Sequence, residues 1–155
     1  MAVASSLALG CQQREGPVPE RDSQTSNRLN DMKRDLENVA GGDRAAPGEF
    51  IDDLGVFTES EPELQAVRVM GRRVASVVSA KALAEETIVK LLDELWLAAA
   101  GREFSQRQQD TVREDIRALL MSAGVEAGAV ESIVSQVGEV QGAVSRRSRR
   151  WYERY

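Results

Sequence analysis

A chain of 155 residues with 42% hydrophobic side chains suits one domain with enough apolar surface for a single core. It has no histidine and one cysteine, which excludes Ser-His-Asp and Cys-His catalysis, histidine metal ligation, an intramolecular disulfide and a tetracysteine zinc site within one chain. The net charge of −5 is uneven: residues 1–61 carry −6, residues 62–155 carry +1 and the last ten residues carry +4, a poor overall balance for nonspecific nucleic-acid binding by the whole chain. The longest uninterrupted apolar run, residues 95–100, is six residues, against the roughly 20 that span a bilayer.

The N-terminus holds the one cysteine. Leu7, Ala8, Leu9 and Gly10 precede Cys11, and a polar, proline-containing stretch follows it. This arrangement resembles a bacterial lipoprotein export signal, in which an apolar segment ends in small residues at the cleavage point. The resemblance implies that Cys11 is a lipid-attachment site, carrying a diacylglycerol once residues 1–10 are removed. No Lys or Arg stands between Met1 and Cys11, so residues 1–10 read as a truncated signal whose true start lies upstream. The competing reading is a cytosolic N-terminus with one exposed cysteine.

Residues 12–27 lack apolar periodicity and read as a disordered tether, because they carry too little apolar surface to offset ordering entropy. A first amphipathic helix is expected over 27–40, where Leu29, Met32, Leu36 and Val39 recur at helical spacing before Gly41 and Gly42. Residues 41–59 mix Gly, Pro and acids with Phe50, Ile51, Leu54, Val56 and Phe57, and read as a loop or single helical turn packed on the main domain, or as a partner-binding linear motif.

The main domain is expected over 60–145. Ser60, Pro62 and Glu63 form a helix start of capping-box type, followed by the stripe Leu64, Val67, Met70, Val74, Val77 and Val78. A break near 79–81 divides 61–100 into two helices, the second with Ile88, Leu91, Leu92, Leu95, Trp96 and Ala99 inward. Gly101 ends it. Ser105 and Gln108 open another helix carrying Val112, Ile116, Leu119 and Leu120, and a last one spans about 127–145 with Val130, Ile133, Val134, Val137, Val140 and Val144. Gly124 with Gly128, and Gly138 with Gly142, stand four apart, a spacing that lets helices approach closely. The expected fold is all-α, a small bundle of about four to five helices behind a disordered N-terminal arm.

Three constellations bear on function. The acidic pairs Glu85–Glu86, Asp93–Glu94 and Glu114–Asp115 invite a cation, but adjacent helical residues diverge by about 100° and the di-iron Glu-x-x-His motif needs histidine, so solvated helix faces are expected. Phe104, Ser105, Gln106, Arg107 and Gln108 resemble the Leu-Thr-x-x-Gln motif of the Spy-like family of periplasmic helical chaperones, which implies client binding on a helical surface; a capping box explains the same residues. In the tail, residues 146–155, Arg146, Arg147, Arg149 and Arg150 precede Trp151 and Tyr152. Guanidinium groups beside aromatics suit an anionic lipid surface, an acidic partner or nucleic acid, whereas arginines at a helix end also favour its dipole.

The resulting expectation divides the chain into the export signal 1–10, the lipid-bearing tether and short helix 11–59, the bundle 60–145 and the basic aromatic tail 146–155. It describes a non-enzymatic, lipid-anchored envelope protein acting as an interaction or client-binding module. No catalytic, cofactor or metal residue is assigned, and the expected partners are a protein and, through the anchor, the membrane. The alternative is a cytosolic helical adaptor whose arginine tail binds nucleic acid or an acidic protein, and a more remote one is a Spy-like periplasmic chaperone.

Overall fold

The computed structural model describes the backbone of residues 17–154 and the side chains of residues 17–145. Among them stand six helices and no strand: α1 (Ser23–Ala40), α2 (Ala46–Gly55), α3 (Glu61–Ala80), α4 (Glu85–Ala100), α5 (Gln106–Ser122) and α6 (Ala127–Arg154). The all-α expectation holds, with one helix more than the upper count expected.

The added helix is α2. Its Pro and Gly suggested a loop, yet Pro47 lies in the first turn, where a missing N–H costs nothing, and Phe50 and Leu54, four apart, are fully buried. Helix α1 begins four residues earlier than its apolar stripe indicated, because the Asp22 side chain accepts a 2.8 Å bond from the Thr25 amide and caps residues that carry no apolar signal. The start of α3 also differs from expectation: Ser60 makes no side-chain cap bond, and Glu63 reaches past it to accept from the Glu59 amide at 3.2 Å. By contrast, both arms of the Ser105–Gln108 capping box are present at α5. Helix α6 is started by Glu126, whose carboxylate accepts from the amides of Gly128 and Ala129, and its backbone continues through the basic tail to Arg154.

The helices pair in a pattern that repeats. Within α1–α3, the middle helix α2 packs on both α1 and α3, which also touch each other; within α4–α6, α5 packs on both α4 and α6 in the same way. The two halves join through like helices, α3 on α6 and α1 on α4. Cross-links give the directions. Arg21 binds Asp93 and Lys33 binds Glu85, so α1 and α4 run antiparallel; Arg73 donates to the Ser132 carbonyl and Gln136 to the Ala66 carbonyl, so α3 and α6 do too. Antiparallel pairing of equivalent helices is what a two-fold axis across the bundle produces. Thus α1, α3, α6 and α4 form a four-helix ring, with α2 and α5 as outer helices on opposite edges.

The core runs through that ring, from Met32, Leu36, Val67 and Met70 to Leu91, Leu95, Ile116, Leu120, Ile133 and Val137, all fully buried. One close approach between helices falls at Gly71, outside the four-apart pairs. A Cβ on Gly71 would stand 3.0 Å from Ile51 Cγ1, so this glycine lets α2 settle on α3. Gly128 has only the Glu126 carboxylate near it, Gly138 meets Arg113 Cδ of α5 at an ordinary 3.7 Å, and Gly124 ends α5 with φ +81.

Candidate functional site

Cys11 lies outside the described residues. In the tail, Arg146, Arg147, Arg149, Arg150, Trp151 and Tyr152 stand on the C-terminal turns of α6, and their side chains also lie outside the described set.

The acidic pairs flagged from sequence are divided by the helices that carry them. Glu85 binds Lys33, which holds its carboxyl below the usual range and raises the lysine. Asp93 binds Arg21 at 2.8 Å. Glu114 binds Arg117, which also engages Glu131 at 2.7 Å. Glu86 is exposed, whereas Glu94 is partly buried on the side of α4 that feels Asp115 of α5. Burial, then the charges of Asp115 and Asp93, push its carboxyl up to about 7, and Glu94 Oε2 is buried with no hydrogen-bond partner. Among the described residues no three acidic, cysteine or histidine side chains are placed to hold a metal ion.

A second acid pair, absent from the sequence reading, occupies the corresponding place in the other half. Asp35 of α1 is 8% exposed and faces Asp53 of α2. Burial, the contact with Asp53 and the charges of Asp53, Glu49 and Asp31 push its carboxyl up to about 7, and its Oδ2 is buried without a partner. Each half therefore carries, on its first helix, an acid whose carboxyl is raised by burial and by the charge of an acid on its outer helix. The sequence signal was slight: Asp35 and Glu94 sit at the margins of apolar stripes, beside Val39 and Leu91 in helical projection.

The two outer helices are fastened differently. On α5, Gln109 donates to Ser145 Oγ at 2.8 Å, Arg113 donates to the buried Gln141, Gln141 donates to the Gln109 carbonyl at 3.0 Å, and Arg117 binds Glu131. These bonds fix α5 to α6. Helix α2 has no side-chain cap bond at its N-terminus and is seated by apolar packing, with Ala46, Phe50 and Leu54 buried against its neighbours. Beside it lies an open, largely apolar groove of about 480 Å³ lined by Pro47, Ile51, Arg72, Ala75, Ser76 and Ser79.

These features define a bundle of two three-helix halves, with one outer helix tied by polar bonds and the other seated by apolar packing beside a groove. No protein-family model, curated protein or solved structure matches the chain. Among the described residues no helix is long and apolar enough to cross a membrane.

Proposed function

We propose that this chain is a non-enzymatic, lipid-anchored protein of the bacterial envelope that presents its helical bundle as an interaction module. The observation that carries the reading is the run Leu7, Ala8, Leu9, Gly10, Cys11 followed by a polar stretch. Two structural features are in keeping with it: residues 17–22 run outside any helix before Asp22 caps α1, and the α2–α3 groove offers apolar surface to a protein segment. A single acyl-bearing cysteine places the bundle at a membrane surface without a spanning helix.

The test is the intact mass of the protein from the membrane fraction of a bacterial host, with the reading frame extended upstream and a Cys11→Ser control alongside. A mature N-terminus at Cys11 carrying acyl mass, lost in the control, is expected. A soluble, unmodified chain beginning at Met1 overturns the anchor and makes salt-sensitive retention of the arginine tail on nucleic acid the next measurement.

A further inference from the structure

We propose that both ends of the chain act on one lipid surface: residues 146–154, the last turns of α6, meet an anionic headgroup layer at the end of the bundle where the lipid-bearing arm enters. The geometry begins at the turn between α4 and α5. Pro17, Val18 and Pro19 line one cleft with Ala100, Arg102 and Glu103, and Arg21 binds Asp93 of α4, so the arm joins the bundle beside this turn. Gln109, near the start of α5, donates to the Phe104 carbonyl at 3.4 Å and to Ser145 Oγ at 2.8 Å. Helix α6 therefore passes the same turn at Ser145.

Lengths set what each end can reach. Cys11 and Pro17 stand six residues apart in sequence, at most about 20 Å of chain, so a lipid on Cys11 keeps this end of the bundle within that distance of the headgroups. The helical backbone of residues 146–154 rises about 14 Å beyond Ser145 and spans much of the same gap. The groove between α2 and α3 lies the other way. Glu59, just before α3, binds Arg102 of the turn at 3.2 Å, and α3 then rises about 27 Å from Glu61 to Ser79 at the groove. An arm alone fixes distance and not orientation; a second contact at the same end turns the groove away from the lipid and toward a protein.

Chemistry selects the surface. Residues 146–154 hold five arginines against Glu153, with Trp151 and Tyr152 among them. Guanidinium groups pair bidentately with phosphate, and Trp and Tyr favour the boundary between headgroups and acyl chains. Each arginine close to an anionic leaflet strengthens attachment roughly fivefold. The chain as a whole carries −5, so a free polyanion is repelled by most of it, whereas a lipid layer held by the arm stands at high effective concentration beside the tail. The choice of lipid over other polyanions rests on the anchor proposed above; the test below does not use the anchor.

The full chain carrying Cys11→Ser has no attachment point for lipid and reads the tail alone. It is floated with vesicles of phosphatidylcholine, with and without one-quarter phosphatidylglycerol, at low and high salt. Expected at low salt is a partition onto the anionic vesicles roughly a hundredfold above that onto neutral ones, lost at high salt. Replacing Arg146, Arg147, Arg149 and Arg150 together by glutamine should bring it down to the neutral level. The chain has two tryptophans and Trp96 is buried in the core, so a blue shift of emission on anionic vesicles is expected from Trp151 and should vanish in Trp151→Phe. Equal partition onto both vesicles, partition onto neither, an emission unmoved on binding, or undiminished binding by the glutamine variant would each overturn the proposal. Tighter retention on a DNA duplex than on the anionic vesicles at the same salt would give the tail to nucleic acid instead. Failure here leaves the anchor standing, whereas a native chain found without acyl mass refutes the anchor and not the affinity of the tail.

Discussion

Replacing Gly101 by alanine tests whether the turn between α4 and α5 is built on a close approach. Gly101 caps the C-terminus of α4 at φ −78 and ψ 62, and its N–H donates to the Leu97 carbonyl at 2.9 Å. Its φ is negative, so the substitution is penalised by space and not by backbone conformation. A Cβ would stand 2.6 Å from the Leu97 oxygen and 2.5 Å from Phe104 Cδ2. The ring can swing away only by leaving the core edge it packs against, and the carbonyl can retreat only by giving up the cap bond. Overpacking of this kind costs ~1–3 kcal/mol, and the lost cap bond adds about 1 kcal/mol. At roughly 2–4 °C per kcal/mol for a domain of this size, the melting temperature should fall by about 5–15 °C. Gly48→Ala is the matched comparison: it is exposed in α2 with nothing within 4 Å of the added Cβ, so it should gain about 0.5–1 kcal/mol from a stiffer unfolded chain. Thermal melts followed by far-UV circular dichroism in one buffer decide the matter. Gly101→Ala melting with the wild type, or Gly48→Ala losing as much as Gly101→Ala, would refute the steric reasoning.

Two further changes probe the core and the second acid contact. Trp96 is 7% exposed on the inward face of α4, so Trp96→Ala should cost about 3–5 kcal/mol by denaturant titration; an unchanged midpoint would remove the ring from the core. For Glu94 the folded carboxyl lies at about 7, above its ordinary 4.5, so the folded state holds a proton that the unfolded chain has released. Stability is therefore lost as pH rises from about 4.5 to 7 and stays low above that. Glu94→Gln should stabilise the protein by about 1–2 kcal/mol at pH 8, after allowing for solvent screening of a half-buried group, and by nothing at pH 4. A gain independent of pH would point to packing instead of charge.

The contrast between what was legible in the sequence and what was not lies between properties of one helix and properties of two. The stripe Leu29, Met32, Leu36 and Val39, the break before Glu85 and the Ser105–Gln108 box were readable because burial periodicity and capping are written within a few residues. Helix α2 was obscured because the Pro47 and Gly48 that punctuate a loop also suit a helix's first turn, and only docking of Phe50 and Leu54 decides between them. The two-fold arrangement left no repeated motif, since it resides in which helices touch, and helices of 10 and 17 residues serve as the equivalent outer elements. The acid contacts follow from that arrangement. Asp35 and Glu94 are ordinary marginal residues on their own helices, and each becomes a proton-holding group because packing buries it and, second, because an outer helix adds the charge of another carboxylate. Asp115 was flagged with Glu114 as a neighbour in sequence, but the helix turns the two apart: Glu114 binds Arg117, and the charge of Asp115 acts on Glu94. A reading along the sequence therefore sees the wrong pairs: the two raised acids of this bundle are set by burial between helices and by carboxylates one helix away.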